Sequence, residues 1–176
     1  MKKMLFLPFS LLFIFCSNQM KINKGKDIDI ILKEGKYNIS DNSKKKYVII
    51  NNTNYYYIID PNGFYGTSYT LENNRKIIPI NYFTRGYYSR FDNNDCKRDL
   101  LIIGPKESKE VALSLNSKDN SIYDYNKEKS YILFVKSFHN RYNATILGCD
   151  NYVSDLEAKG YKVLEDSIVA KIPLVP

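Results

Sequence analysis

The feature that most constrains this chain is the alternation of apolar and polar residues in runs too short for a helix, each closed by a turn signal. Asp27 to Lys33 sets Ile28, Ile30 and Leu32 at every second position, the signature of a strand with one face buried. Similar strand-like runs recur at Tyr47 to Ile50, Tyr55 to Ile59, Ser68 to Leu71, Leu100 to Ile103, Val111 to Leu115, Tyr131 to Phe138 and Ile168 to Ile172. Asp60-Pro61-Asn62-Gly63 and Gly104-Pro105 punctuate them, because proline presets φ and glycine accepts the left-handed region. Asn51-Asn52-Thr53-Asn54 reads as a hairpin-like connection, and Glu72-Asn73-Asn74-Arg75 as a turn whose second strand, with Pro79, lies at an edge. Asn151 to Lys159 reads as the single short helix, capped by Asp150 or Asn151 and closed by Gly160. Short strands with one incidental helix predict a mainly β, antiparallel sandwich.

Composition points the same way. The chain has 176 residues, 16 of them Tyr and none Trp, so one domain is expected and its core must lean on tyrosine. Tyrosine suits a pleated, half-buried surface. Residues Leu100 to Leu115, in particular Gly104-Pro105-Lys106-Glu107-Ser108-Lys109-Glu110-Val111, resemble the turn and strand of extracellular immunoglobulin-like domains, and Tyr131-x-Leu133-x-Val135 is similar to their later core strand. The resemblance implies an Ig-like β-sandwich, although the Cys-Trp-Cys core of true Ig domains is absent; a small calycin-like barrel is the alternative.

Lys2 and Lys3 precede an apolar run from Met4 to Cys16, which reads as the charged and hydrophobic regions of a secretory signal over residues 1–16. Polar residues after it end the run well short of the ~20 apolar residues that span a bilayer. Residues 17–25 read as a polar tether, and residues 26–176 as a single β-rich domain. Leu12-Phe13-Ile14-Phe15-Cys16-Ser17-Asn18 resembles the lipobox of bacterial lipoproteins, which implies that Cys16 is acylated and becomes the first residue of the mature protein. Phe15 departs from the small residue that the pattern places there, and cleavage by the ordinary signal peptidase is the alternative. With the Lys, Asn, Ile and Tyr bias, the segment resembles exported lipoproteins of Bacteroidetes-type bacteria. That implies a membrane-anchored protein of the outer membrane facing the periplasm, or otherwise a soluble periplasmic or secreted one. Cys96 and Cys149 then remain as an even pair in an oxidising compartment, either disulfide-bonded or as two buried thiols.

Motifs for chemistry are sparse. His139 is the lone histidine, at a strand end where a surface or turn position is expected, and no catalytic or zinc-ligand pattern surrounds it. Asp92 with Asp95, and Asp150 with Asp155, are the carboxylate pairs available for acid and base work, but they read as a polar loop and as the cap and solvent face of a helix. A loose calcium loop at Asp92 to Asp95 lacks EF-hand spacing. No cofactor or metal is expected, and the chain is read as a non-enzyme. The net charge of +7 falls to +5 when Lys2 and Lys3 leave with the signal, and export makes nucleic acid an improbable partner. Basic residues interleaved with Tyr55, Tyr56, Tyr57, Tyr82, Tyr87 and Tyr88 could offer stacking platforms for a glycan, although many such rings belong to the core. The candidate interaction loop is Tyr82, Phe83, Arg85, Tyr87, Tyr88, Arg90 and Phe91, rich in the Tyr and Arg that anchor protein interfaces. The expectation is a non-enzymatic envelope lipoprotein, held to the membrane by its lipid, that binds an envelope protein or glycan. The alternative is a secreted inhibitor or immunity-type protein acting on a periplasmic enzyme.

Overall fold

Alternation along the chain becomes alternation of burial. In the computed structural model, which describes residues 19–38, 44–84, 89–113 and 119–175, strand Ile28–Leu32 buries Ile28, Ile30 and Leu32 completely. Strand Tyr131–His139 likewise buries every second residue from Tyr131 to His139. The first sheet is antiparallel, ordered Met20–Lys21, Ile28–Leu32, Lys45–Asn51, Ser108–Leu113. The second runs Tyr37–Asn38, Asp166–Val175, Tyr131–His139, Thr67–Glu72, Arg75–Lys76, with its outer Tyr37–Asn38 pairing parallel. One core fills the space between them, with Ile30, Tyr47 and Ile49 of the first sheet and Val135, Ile168 and Ile172 of the second in the same buried cluster. Face-to-face burial of two alternating strand sets is what makes a sandwich. The architecture is therefore a mainly antiparallel β-sandwich, not a closed barrel.

Three local signals act as predicted. Asn73 and Asn74 both take positive φ, 50° and 62°, and close the Thr67–Glu72 to Arg75–Lys76 hairpin, as a tight turn between right-twisted strands requires. Asp60 caps a 3-10 turn at Pro61–Phe64, accepting from the Asn62 amide at 2.9 Å. Gly160, at φ +88°, follows the helix Asp150–Glu157.

Other expectations need correction. Lys45–Asn51 and Tyr57–Ile59 do not form a hairpin with each other. Tyr57–Ile59 instead joins a third sheet between Lys162–Val163, which is parallel to it, and Leu101–Ile103. The cause is a corner at Asn51, which is 1% exposed. Its side-chain amide donates to the carbonyls of Tyr55 at 2.6 Å and Gly104 at 2.7 Å, so both chains turn there from the first sheet into the third. Three α-helices are present among the described residues rather than one: α1 (Asn93–Asp99), α2 (Arg141–Thr145) and α3 (Asp150–Glu157). Asp92 to Asp95, read as a polar loop, instead open α1: Asp92 accepts from the amides of Asn94 and Asp95, and Asp95 accepts from that of Phe91, a reciprocal cap. The α3 N-cap is Cys149, without a side-chain cap bond, rather than Asp150 or Asn151.

The stretch read as tether is also partly structural. Met20–Lys21 is a strand, Ile22 is 1% exposed in the core, and Asn23 is buried. The side chain of Asn23 explains the docking, since it donates to the Ile28 carbonyl at 2.7 Å and accepts from the Ile30 amide at 2.8 Å. The signal segment, Cys16, Arg85, Tyr87 and Tyr88 lie outside the described residues.

Candidate binding cleft

A cavity of about 580 Å³, open to solvent, forms where residues 25–28 meet Tyr57, Arg141, Glu157 and residues 161–166. Its floor is set by Asp166, the first residue of the last strand. The Asp166 carboxylate accepts from the Gly25 amide at 2.9 and 3.0 Å, from Asn23 at 2.5 Å and from the Ser167 amide at 2.7 Å. Gly25 is required for this approach, because a Cβ there would lie 2.4 Å from the carboxylate. One wall comes from the parallel pairing of Lys162–Val163 with Tyr57 and Ile58. That register brings Tyr161 onto Tyr56, stacked at 4.7 Å between centroids and 27° between planes, and sets the Lys162 ammonium 3.5 Å over the Tyr55 ring. Arg141, also in the lining, donates to Glu157 and Asp150 at 3.0 Å and to Ser154 at 2.9 Å.

The electrostatics are mixed in sign, with Lys26, Arg141 and Lys162 against Asp27, Glu157, Glu165 and Asp166. Hydrogen bonds and ion pairs to Glu157 and Asp150 raise the pKa of Arg141, a permanent cation. Tyr57 donates to Asp27 at 2.8 Å; burial first, and then the Asp27 carboxylate, push its hydroxyl up to about 12. Tyr57 therefore remains a donor across physiological pH and orients Asp27. Asp166 is committed to amides and Glu157 to Arg141, so Asp27, Glu165 and Lys26 are the groups best placed to meet a polar ligand. Among the described residues no cluster of three or more His, Cys, Asp or Glu could hold a metal ion.

The residues singled out from sequence are distributed elsewhere. Cys96 and Cys149 are joined by a disulfide with Cα atoms 5.7 Å apart. It ties α1 to the start of α3 inside a second, smaller cluster with Ile58, Leu100, Ala144 and Val153. Tyr82 and Phe83 belong to strand Asn81–Thr84, paired with Asp119–Ile122, so the supposed loop begins as a ribbon. Arg90 is not an exposed anchor: it is 4% exposed and reaches Asp60 at 3.1 Å and Asp99 at 3.3 Å. Burial opposes its charge, but hydrogen bonds and attraction from both carboxylates outweigh that and raise its pKa. Phe91, by contrast, is 90% exposed. The cleft segments themselves carried no sequence motif; the run Tyr55 to Tyr57 was the one available signal.

His139 is not on the surface. It is buried edge-on to Phe64 at 4.7 Å, and its Nε2 has no hydrogen-bond partner among the described residues. Burial pushes its pKa from 6.5 down to about 4, against the pull of Asp60 and Asp166. Between those values the unfolded chain binds more protons than the folded one, so stability falls as pH drops from about 6.5 to about 4 and this contribution is constant below. The loss is on the order of 3 kcal/mol. Urea midpoints measured across that interval should slope downward with acid and lose this component in His139→Gln; an undiminished slope in the variant would refute the assignment.

Comparison of the chain with protein-family models, curated proteins and solved structures finds no match.

Proposed function

We propose that this protein is a non-catalytic binding module of the bacterial envelope, held to the membrane through a lipid on Cys16 and presenting its cleft to a polar ligand. The observation that carries the reading is the cleft, where an aromatic wall stands beside oriented groups of both charges on a frame tied to a disulfide-bonded helical layer. Binding sites combine such a concave surface with a few fixed polar groups. The Cys96–Cys149 disulfide supports an exported location, since a disulfide persists in an oxidising compartment.

Phe91 favours a second reading. A 90% exposed ring immediately before a capped helix is presented on a firm base, as an inhibitor or immunity-type protein would present a residue to a periplasmic enzyme.

The intact mass of the mature protein from its own host membranes tests the first reading. The expected product begins at Cys16, carries acyl mass and gains two hydrogens on reduction. Cys16→Ser should shift the protein from the membrane to the soluble fraction. A non-acylated product starting beyond Cys16 would sink the anchored reading and bring the diffusible inhibitor forward.

A further inference from the structure

Tyr57 and Tyr161 line the cleft, and Tyr55 and Tyr56 lie beside them in contact with Lys162 and Tyr161. Tyr57 fixes Asp27 through its hydroxyl, Tyr56 backs Tyr161 in a stack, and Tyr55 lies beneath the Lys162 ammonium. Tyr161 lines the cleft, and its backing by Tyr56 holds the ring in place before any ligand arrives. Tyr161 is half-buried, packed also against the smaller core cluster, and whatever part of its ring meets the cleft would attract a flat apolar surface by dispersion and area burial. Asp27 and Glu165 add acceptors, and Lys26 adds a donor.

A ligand that is apolar on one face and dense in hydroxyls at its edge fits such a lining, and a pyranose ring has that chemistry. The near balance of three cations and four carboxylates provides no strong field for an ion, and electrostatic complementarity is what selects charged partners. The cleft is open, and its volume of about 580 Å³ falls within the range for small-molecule sites.

We propose that the cleft between Gly25–Ile28 and Tyr161–Asp166 binds a neutral oligosaccharide, with one sugar ring stacked on Tyr161 and neighbouring hydroxyls bonded to Asp27, Lys26 and Glu165. This deepens the binding-module reading and rests on it.

Amide-resolved NMR titration of the oxidised protein with chitotriose and maltotriose tests the proposal, with a hyaluronan tetrasaccharide as the acidic comparison. Saturable shifts with a neutral sugar at Gly25 to Asp27 and Tyr161 to Glu165 are expected. Tyr161→Ala should weaken binding about ten-fold or more. Because that change also disturbs the stack, Lys26→Met and Glu165→Gln at the rim should weaken binding while leaving the remaining spectrum unchanged. No shift with either neutral sugar at millimolar concentration, or shifts with the acidic sugar alone, would overturn the oligosaccharide proposal while leaving the anchored module to the mass measurement. Release of new reducing ends from chitotriose in the same tube would support saccharide binding and overturn the non-catalytic reading instead.

Discussion

A Cys96→Ser/Cys149→Ser variant will unfold in urea about 2–5 kcal/mol less stable than the oxidised protein, the usual cost of removing a native disulfide. The bridge spans 53 residues, so its loss frees a long loop in the unfolded chain. It also removes both sulfurs from a cluster whose other buried members among the described residues are Ile58, Leu100, Ala144 and Val153. The loss should concentrate in one layer. Amide exchange in α1 and α3 is expected to rise first, while Ile28–Leu32 and Tyr131–His139, buried in the main core, keep their protection. Equal urea midpoints for the oxidised protein and the variant would show that the helical layer holds without the bridge.

Arg90→Met will destabilise the fold by about 3–5 kcal/mol, because it leaves carboxylates buried without their cation. The Arg90 and Asp60 side chains are 1% and 2% exposed, and that of Asp99 is 14% exposed. Arg90 also donates to the Cys149 sulfur at 3.8 Å, so the ion network and the disulfide brace the same junction between Asp60, α1 and α3. Adding Asp60→Asn should restore part of the loss, since an amide removes the stranded charge and can still accept from the Asn62 amide that Asp60 caps. Denaturation of the single and double variants checks this. A double variant as unstable as the sum of the singles would exclude the charge as the cause, and an Arg90→Met effect within about 0.5 kcal/mol would return Arg90 to the surface role.

Arg90 and His139 show why the sequence is readable to different depths. Both sit at the ends of segments with polar neighbours, and local pattern assigns such positions to loops. Their partners are remote: Asp60 lies 30 residues from Arg90, and His139 packs against Phe64 and Gly63. A Cβ on Gly63 would sit 2.3 Å from the imidazole, so this glycine serves packing as well as the turn that predicted it. The reciprocal cap at Asp92 and Asp95 was, by contrast, a local signal; its carboxylates looked like possible metal ligands because capping and cation binding use the same oxygens.

The cleft was the least legible feature. Gly25 and Asp166 are 141 residues apart and join through a carboxylate and an amide, an interaction that no periodicity encodes. Tyr55 to Tyr57 drew attention as possible stacking platforms, yet what each ring does depends on Tyr161 and Lys162 arriving in parallel register.

Period-two patterning and turn chemistry were enough to specify a mainly β sandwich, its longer strands and the Asn73-Asn74 hairpin, because these depend on backbone preferences and side-chain alternation within a few residues, whereas short strands such as Met20–Lys21 and Lys162–Val163 carried no such pattern. The composition and spacing of the cysteines permitted a disulfide but did not require it. Tertiary structure decided which strands meet, the corner at Asn51, the pairing of Cys96 with Cys149, the burial of Arg90 and His139, and the assembly of the cleft. Each of these depends on the distance between groups far apart in the chain, and that distance is set only when the two sheets close on their common core.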